Sequence, residues 1–239
     1  MAICRAIADY NLLKPELPLS LSIGWAYRQE DAANLTELFK EAEDNMYREK
    51  LLHCRSTCST LVDVLLKALE VRDNLTEEHA DRLQDGVTLM GKALGLPDHR
   101  IADLRMLAKF HDIGKIGIPD RILLKPGPLT PQEFTEMQHH SEIGQQITNS
   151  APLLEPIADL ILKHHEWWNG GGYPLGLKEE EIPLECRVLS IVDAYDAMTH
   201  DRPYRKAMPC EAAMAELKRG EGSQFDPDLV NLFIKTIEN

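Results

Sequence analysis

Two short stretches of this 239-residue chain could do chemistry: His111-Asp112-Ile113-Gly114-Lys115, and His164-His165-Glu166-Trp167-Trp168-Asn169-Gly170-Gly171-Gly172-Tyr173-Pro174. Adjacent His-Asp and His-His pairs offer imidazole nitrogen and carboxylate oxygen, the donors that suit Fe, Mn, Zn or Co, and a carboxylate can bridge two ions. An Asp beside a His can therefore serve two metals. Lys115 stands three residues beyond Asp112, so helical geometry would bring its ammonium to the same face as a phosphate anchor.

The charge balance limits what such a site could bind. A formal net charge of −13 argues against polymeric nucleic acid, which needs a basic surface to displace counterions. A small anion is still accommodated where metal ions and a few basic side chains make one pocket locally positive. No apolar run approaches the roughly 18 residues of a membrane span, and the start, Met1-Ala2-Ile3-Cys4-Arg5, lacks the apolar core of a secretory signal. The cysteines at 4, 54, 58, 186 and 210 are odd in number and form no disulfide framework, in keeping with a reducing cytoplasm. His53-Cys54 with Cys58 lacks a fourth ligand and is assigned no role.

The elements that must position these residues are mostly helical. Helical apolar spacing covers Glu77 to Leu94, Ile101 to Phe110, Pro131 to Ser150, Leu153 to His165, Leu184 to Thr199 and Cys210 to Arg219, separated by Gly/Pro loops. The loops after Gly114 and Asn169 follow candidate ligands directly and are expected to border the site. Earlier in the chain, Leu19 to Ala26 alternates like a half-buried strand. From Asn34 or Thr36, Leu35, Leu38, Phe39, Ala42 and Met46 recur at helical spacing. With no Pro or Gly between Gly24 and Gly86, this helix either runs on as a rod or breaks near Arg55-Ser56-Thr57. Both forms suggest a homodimer packed through the apolar positions from Leu61 to Leu69.

Residues 73–239 resemble an HD-GYP domain, a branch of the HD superfamily of metal-dependent phosphohydrolases. The matching pieces are Glu78-His79-Ala80-Asp81-Arg82, His111 to Lys115, His140-Ser141-Glu142-Ile143-Gly144, His164 to Pro174, Asp193-Ala194-Tyr195-Asp196-Ala197-Met198-Thr199 with Asp201 to Lys206, and Gln224-Phe225-Asp226-Pro227. Residues 15 to 50 resemble the C-terminal end of a GGDEF domain, without its signature loop. The implied organisation is a partial GGDEF-like segment at 1–50 (a strand and helix), a connecting helix at 51–72, and an all-helical HD-type phosphohydrolase domain at 73–239.

The resemblance implies two divalent metals, Fe or Mn first, with Zn, Co or Ni as alternatives. One would take His79, His111, Asp112 and Asp193; the other would share Asp112 and add His140, His164 and His165. This donor set exceeds that of a structural zinc site and leaves room for water. The implied reaction is hydrolysis of cyclic di-GMP to pGpG, in some family members onward to GMP, by a metal-bridging hydroxide. Asp112 and Lys115 would be catalytic, and Lys115, Tyr173, Arg202 and Arg205 would contact substrate. Alternatives are another cyclic dinucleotide or nucleotide phosphoester as substrate, or a cyclic di-GMP-binding signalling module without turnover. His139 reads as an exposed neighbour of His140, and His99 and His200 have no role. Glu166 and Asp196 read either as acceptors that orient a histidine or as solvated charges, while Trp167 and Trp168 read as loop packing or base-stacking groups. Asn169 and Ser141 stand where the family usually has Asp and Pro. Leu75 stands where some members have a carboxylate for a third metal, with Glu77 or Glu78 as the remaining option.

Overall fold

The computed structural model describes residues 77–201 and 206–237, together with the isolated positions Tyr10, Leu35, Leu38, Phe39, Ala42, Glu43, Met46 and Lys67. The strand expected at 19–26, most of the GGDEF-like segment, the connecting helix at 51–72 apart from Lys67, and both Arg202 and Arg205 lie outside the described residues. The chain divides into two compact units, Met1–Val64 and Leu65–Asn239. In the first, Leu35, Leu38, Phe39, Ala42 and Met46 are helical, as their spacing predicts.

The named elements of the second unit's described residues are all helical, joined by loops: α1 (Glu77–Ala93), α2 (Asp98–Phe110), a 3-10 turn (Ile113–Gly117), α3 (Asp120–Leu123), α4 (Pro131–Gln138), α5 (His140–Asn149), α6 (Glu155–Lys163), a second 3-10 turn (Glu179–Glu181), α7 (Leu184–Thr199), α8 (Cys210–Arg219) and α9 (Pro227–Ile237). Among the described residues no helix is long and apolar enough to cross a membrane.

The central element is α7, which packs against α1, α2, α6, α8 and α9. Its sequence explains this placement, since Val188, Leu189, Ile191 and Val192 bury side chains on more than one face. Against it, α1 lays Leu83, Val87 and Met90, a stripe at helical spacing. Gly86 lets the two helices close in, because a Cβ there would lie 2.6 Å from Val192 Cγ1. Each fully buried Leu, Val or Met side chain contributes about 1.5–3 kcal/mol.

The single helix expected over Pro131 to Ser150 is two helices, divided at His139. Thr130 and Glu133 cap the first reciprocally, with Pro131 in its first turn. The division places His140 at the start of the second helix, just past the end of the first, with consequences for the site. The sequence pattern also missed α9, whose Leu229, Val230, Phe233 and Ile234 are buried.

Candidate metal centre

Helix ends build most of the centre. His111 caps the C-terminus of α2, His164 caps that of α6, and His140 follows the end of α4. Helix C-termini leave carbonyls without an intrahelical donor. Each of these histidines supplies one: His111 Nδ1 donates to Ala108 O at 3.0 Å, His140 Nδ1 to Met137 O at 2.8 Å and His164 Nδ1 to Ile161 O at 2.6 Å. A carbonyl oxygen only accepts, so the proton sits on Nδ1 and, in the neutral ring, the Nε2 lone pair is left for the site.

Glycines bring these ends together. A Cβ at Gly114 would fall 1.8 Å from His140 O and 2.5 Å from Gly144 N, so only glycine lets the turn after Asp112 dock on the backbone of α5. Gly144 in turn admits Ile161 of α6, whose Cγ2 lies 2.8 Å from the position a Cβ would take. The 111–115 motif, His140 and His164 thus converge through backbone contact that longer side chains would block.

Seven of the residues singled out in the sequence fall into two groups that could hold metal ions: Asp112, His140, His164 and His165, and His79, His111 and Asp193. In each group the donor atoms lie within 4.8 Å of one another. Asp112 lies between the two groups, with Oδ2 3.3 Å from His111 Nε2 and Oδ1 3.6 Å from His140 Nε2. Lys115 Nζ lies 2.9 Å from Asp112 Oδ2. His140 Nε2 and His164 Nε2 face each other at 3.4 Å. With both protons committed to Nδ1, two lone pairs oppose across that gap, an arrangement that suits a cation between them. His139, by contrast, is exposed and paired with Glu142.

Protonation follows burial. Burial lowers His140, His164 and His165, the last to about 3, and neighbouring imidazoles add to the effect, so these rings are neutral and in ligand form. Burial also opposes a charge on Asp112, yet Lys115 and His111 outweigh it and hold the carboxyl well below the usual range. Burial likewise works against a charge on His111, but Asp112 prevails and raises it to about 9.

His79 is held differently. Lying within α1, it has no free helix-end carbonyl to use, and its Nδ1 donates instead to Asp196 Oδ2 of α7 at 2.6 Å. Asp196 is buried and accepts from Arg82 Nε at 2.5 Å and Arg82 Nη2 at 3.2 Å. Burial opposes ionisation of Asp196, but its bonds to His79 and Arg82 bring it to about 2. His200, expected to have no role, also places Nδ1 3.0 Å from Asp196 Oδ1.

Glu166 neither touches His164 or His165 nor lies in solvent, so both readings of it from sequence are corrected. It is 3% exposed and accepts backbone N–H groups of the following loop, from Leu175 at 2.6 Å, Gly176 at 3.2 Å and Leu177 at 3.0 Å. Trp168 N and Asn169 N donate to Gln224 O and Ser223 O, tying the start of the loop to the approach to α9. Gly172 fits because a Cβ there would lie 2.3 Å from Trp167 N. Tyr173 N donates to His165 O at 3.2 Å, and the phenol ring lies 4.8 Å from the His165 ring. Burial, then Asp112, push the Tyr173 hydroxyl up, so it remains a proton donor. Phe134, unremarked in the sequence, stands edge-on to Tyr173 at 6.3 Å. Trp168 packs beneath the Arg187 guanidinium, while Trp167 is partly exposed.

A family model described as an HD domain matches residues 63–229. The chain belongs to the HD domain family. The chain is 38% identical over 201 residues to a cyclic di-GMP phosphodiesterase of Thermotoga maritima, an alignment covering 83% of this chain and 51% of that protein. It is 34% identical over 245 residues to the cyclic di-GMP phosphodiesterase response regulator RpfG of Xanthomonas campestris pv. campestris, covering 98% and 63%. The chain therefore spans about half the length of the first relative and under two thirds of the second. In fold it is similar to the crystal structure of a cyclic GMP-AMP specific phosphodiesterase of V. cholerae, with TM-score 0.57 and 21% identity over 73% of this chain and 47% of that one.

Proposed function

We propose that this HD domain is a metal-dependent phosphodiesterase that hydrolyses cyclic di-GMP to pGpG. The observation that carries the reading is the convergence of five imidazoles and two carboxylates in two adjoining groups, with Asp112 between them. Similarity to relatives named cyclic di-GMP phosphodiesterases supports the substrate class. His79, His111 and Asp193 would hold one divalent ion and His140, His164 and His165 the other, with Asp112 shared and Fe or Mn the first candidates. Bound divalent ions at such a site polarise phosphate oxygens and make hydroxide available at neutral pH.

The chain supplies the rest. Helix-end carbonyls and Asp196 fix the imidazole tautomers of His79, His111, His140 and His164, all four of which are buried. Lys115 sets a positive charge beside Asp112, where a phosphate oxygen would gain negative charge during displacement. Tyr173 presents a protonated hydroxyl to the same side, and Arg202 and Arg205 are assigned to the substrate phosphates. The HD-GYP assignment, the GGDEF-like segment at 1–50 and a homodimer through 51–72 belong to the same proposal.

Substrate profiling tests it. Reduced, metal-reconstituted protein should convert cyclic di-GMP faster than 3′3′-cGAMP, cyclic di-AMP or a nucleotide monoester. Faster turnover of another member of this panel would reassign the substrate. Binding of cyclic di-GMP without product would make the domain a receptor.

A further inference from the structure

The groups that hold His79 are arranged as two matched pairs. On α1, His79 and Arg82 stand three residues apart; on α7, Asp193 and Asp196 do the same. Residues at this spacing share a helix face, and here the faces oppose. His79 Nε2 points to Asp193 Oδ1 at 3.9 Å while His79 Nδ1 donates to Asp196 Oδ2 at 2.6 Å. Arg82 closes the arrangement by donating to both oxygens of Asp196.

We propose that Asp196, held in place by Arg82, is the positioning residue that fixes His79 as a metal ligand, so that each helix carries one ligand and one brace. The inference rests on the reading of His79, His111 and Asp193 as a metal group. Three observations support it. A carboxylate on Nδ1 commits the ring proton there and leaves Nε2 unprotonated, facing Asp193. Among the described histidines of the two groups, His111, His140 and His164 use carbonyls of their own chain segments, whereas His79 depends on a side chain 117 residues away. The bond joins the two helices whose close approach Gly86 and Val192 permit, so the packing of α1 on α7 and the orientation of the ligand are set together.

The test is titration of the metal-free full chain with Mn2+, followed by calorimetry and by elemental analysis of the loaded protein. Wild type should take up two ions. Asp196→Asn should lower the affinity for one of them by about 10–100-fold and leave the other unchanged. Arg82→Gln keeps the bond to His79 but removes its support, and a smaller loss at the same ion is expected. Glu185→Gln is the control for a merely structural charge. That residue lies on the same helix, is buried and pairs with Arg100, so it should lower the melting temperature without altering either Mn2+ affinity. Circular dichroism checks folding, and if Asp196→Asn does not fold, Arg82→Gln decides. Equal weakening of both ions, or no weakening in a folded variant, overturns the positioning role alone. Wild type that takes up no Mn2+ overturns the metal reading beneath it.

Discussion

His140 and His164 are fixed by carbonyls three residues back in the chain, whereas His79 is fixed by a carboxylate 117 residues away. The first kind of support forms wherever the helix end forms. The second exists only once α1 has packed on α7. The group around Asp112 is further tightened by backbone contact at Gly114 and Gly144, while His79, unlike His111 of the same group, relies on one buried carboxylate with its arginine. The two groups should therefore fail differently, the one through backbone displacement and the other through loss of a single long-range hydrogen bond.

The largest effect is expected where backbone cannot yield. Gly114→Ala sets a Cβ against His140 O, so the turn must leave α5 and carry His111 and Asp112 with it. A loss of about 3 kcal/mol in unfolding free energy and of both metals is expected, measured by urea denaturation and elemental analysis. Next come the proposed ligands: His164→Ala and His79→Ala should each abolish turnover but remove different ions, leaving about one per chain. Removal of the same ion by both would erase the distinction between the groups.

Glu166→Gln probes the loop that carries Tyr173. A neutral amide is a weaker acceptor for the backbone N–H groups from Leu175 to Leu177, and about 1–3 kcal/mol of local stability should be lost. The expected signature is a raised KM with the metal count unchanged, together with altered Trp167 fluorescence. The smallest effect lies at the cap of α4. Bonds from Lys125 and Thr130 lower Glu133 from an ordinary 4.5 to about 2. A depressed carboxylate stabilises the fold above its unfolded pKa and ceases to do so as the pH falls through the folded value. The difference in melting temperature between wild type and Glu133→Gln should be present at pH 6 and gone near pH 2, with metal content equal in both at pH 6.

The candidate ligands were legible because most stand in compact motifs at helix ends, and adjacent His-Asp and His-His pairs need little tertiary information to be noticed. Helix existence was legible from apolar spacing for the same local reason. The break at His139 was not, since no Gly or Pro marks it; it shows in the docking of Gly114 against α5. Glu166 misled because adjacency to two candidate ligands suggested contact with them, whereas its carboxylate turns to the loop backbone. The pairing of Arg82 with Asp196 left only a faint trace, two residues each three positions beyond a candidate ligand. Its meaning depends on which helices meet, and a single sequence does not state that.

The most direct test of the central claim is cyclic di-GMP hydrolysis by wild type and Asp112→Ala under reducing, anaerobic conditions, with metal counted in the same samples. Asp112 lies between both groups, so the expected result is product from wild type carrying about two ions, with product and metal both lost in the variant. Product formed equally by the variant, or none from wild type that holds two ions and binds the nucleotide, would contradict it.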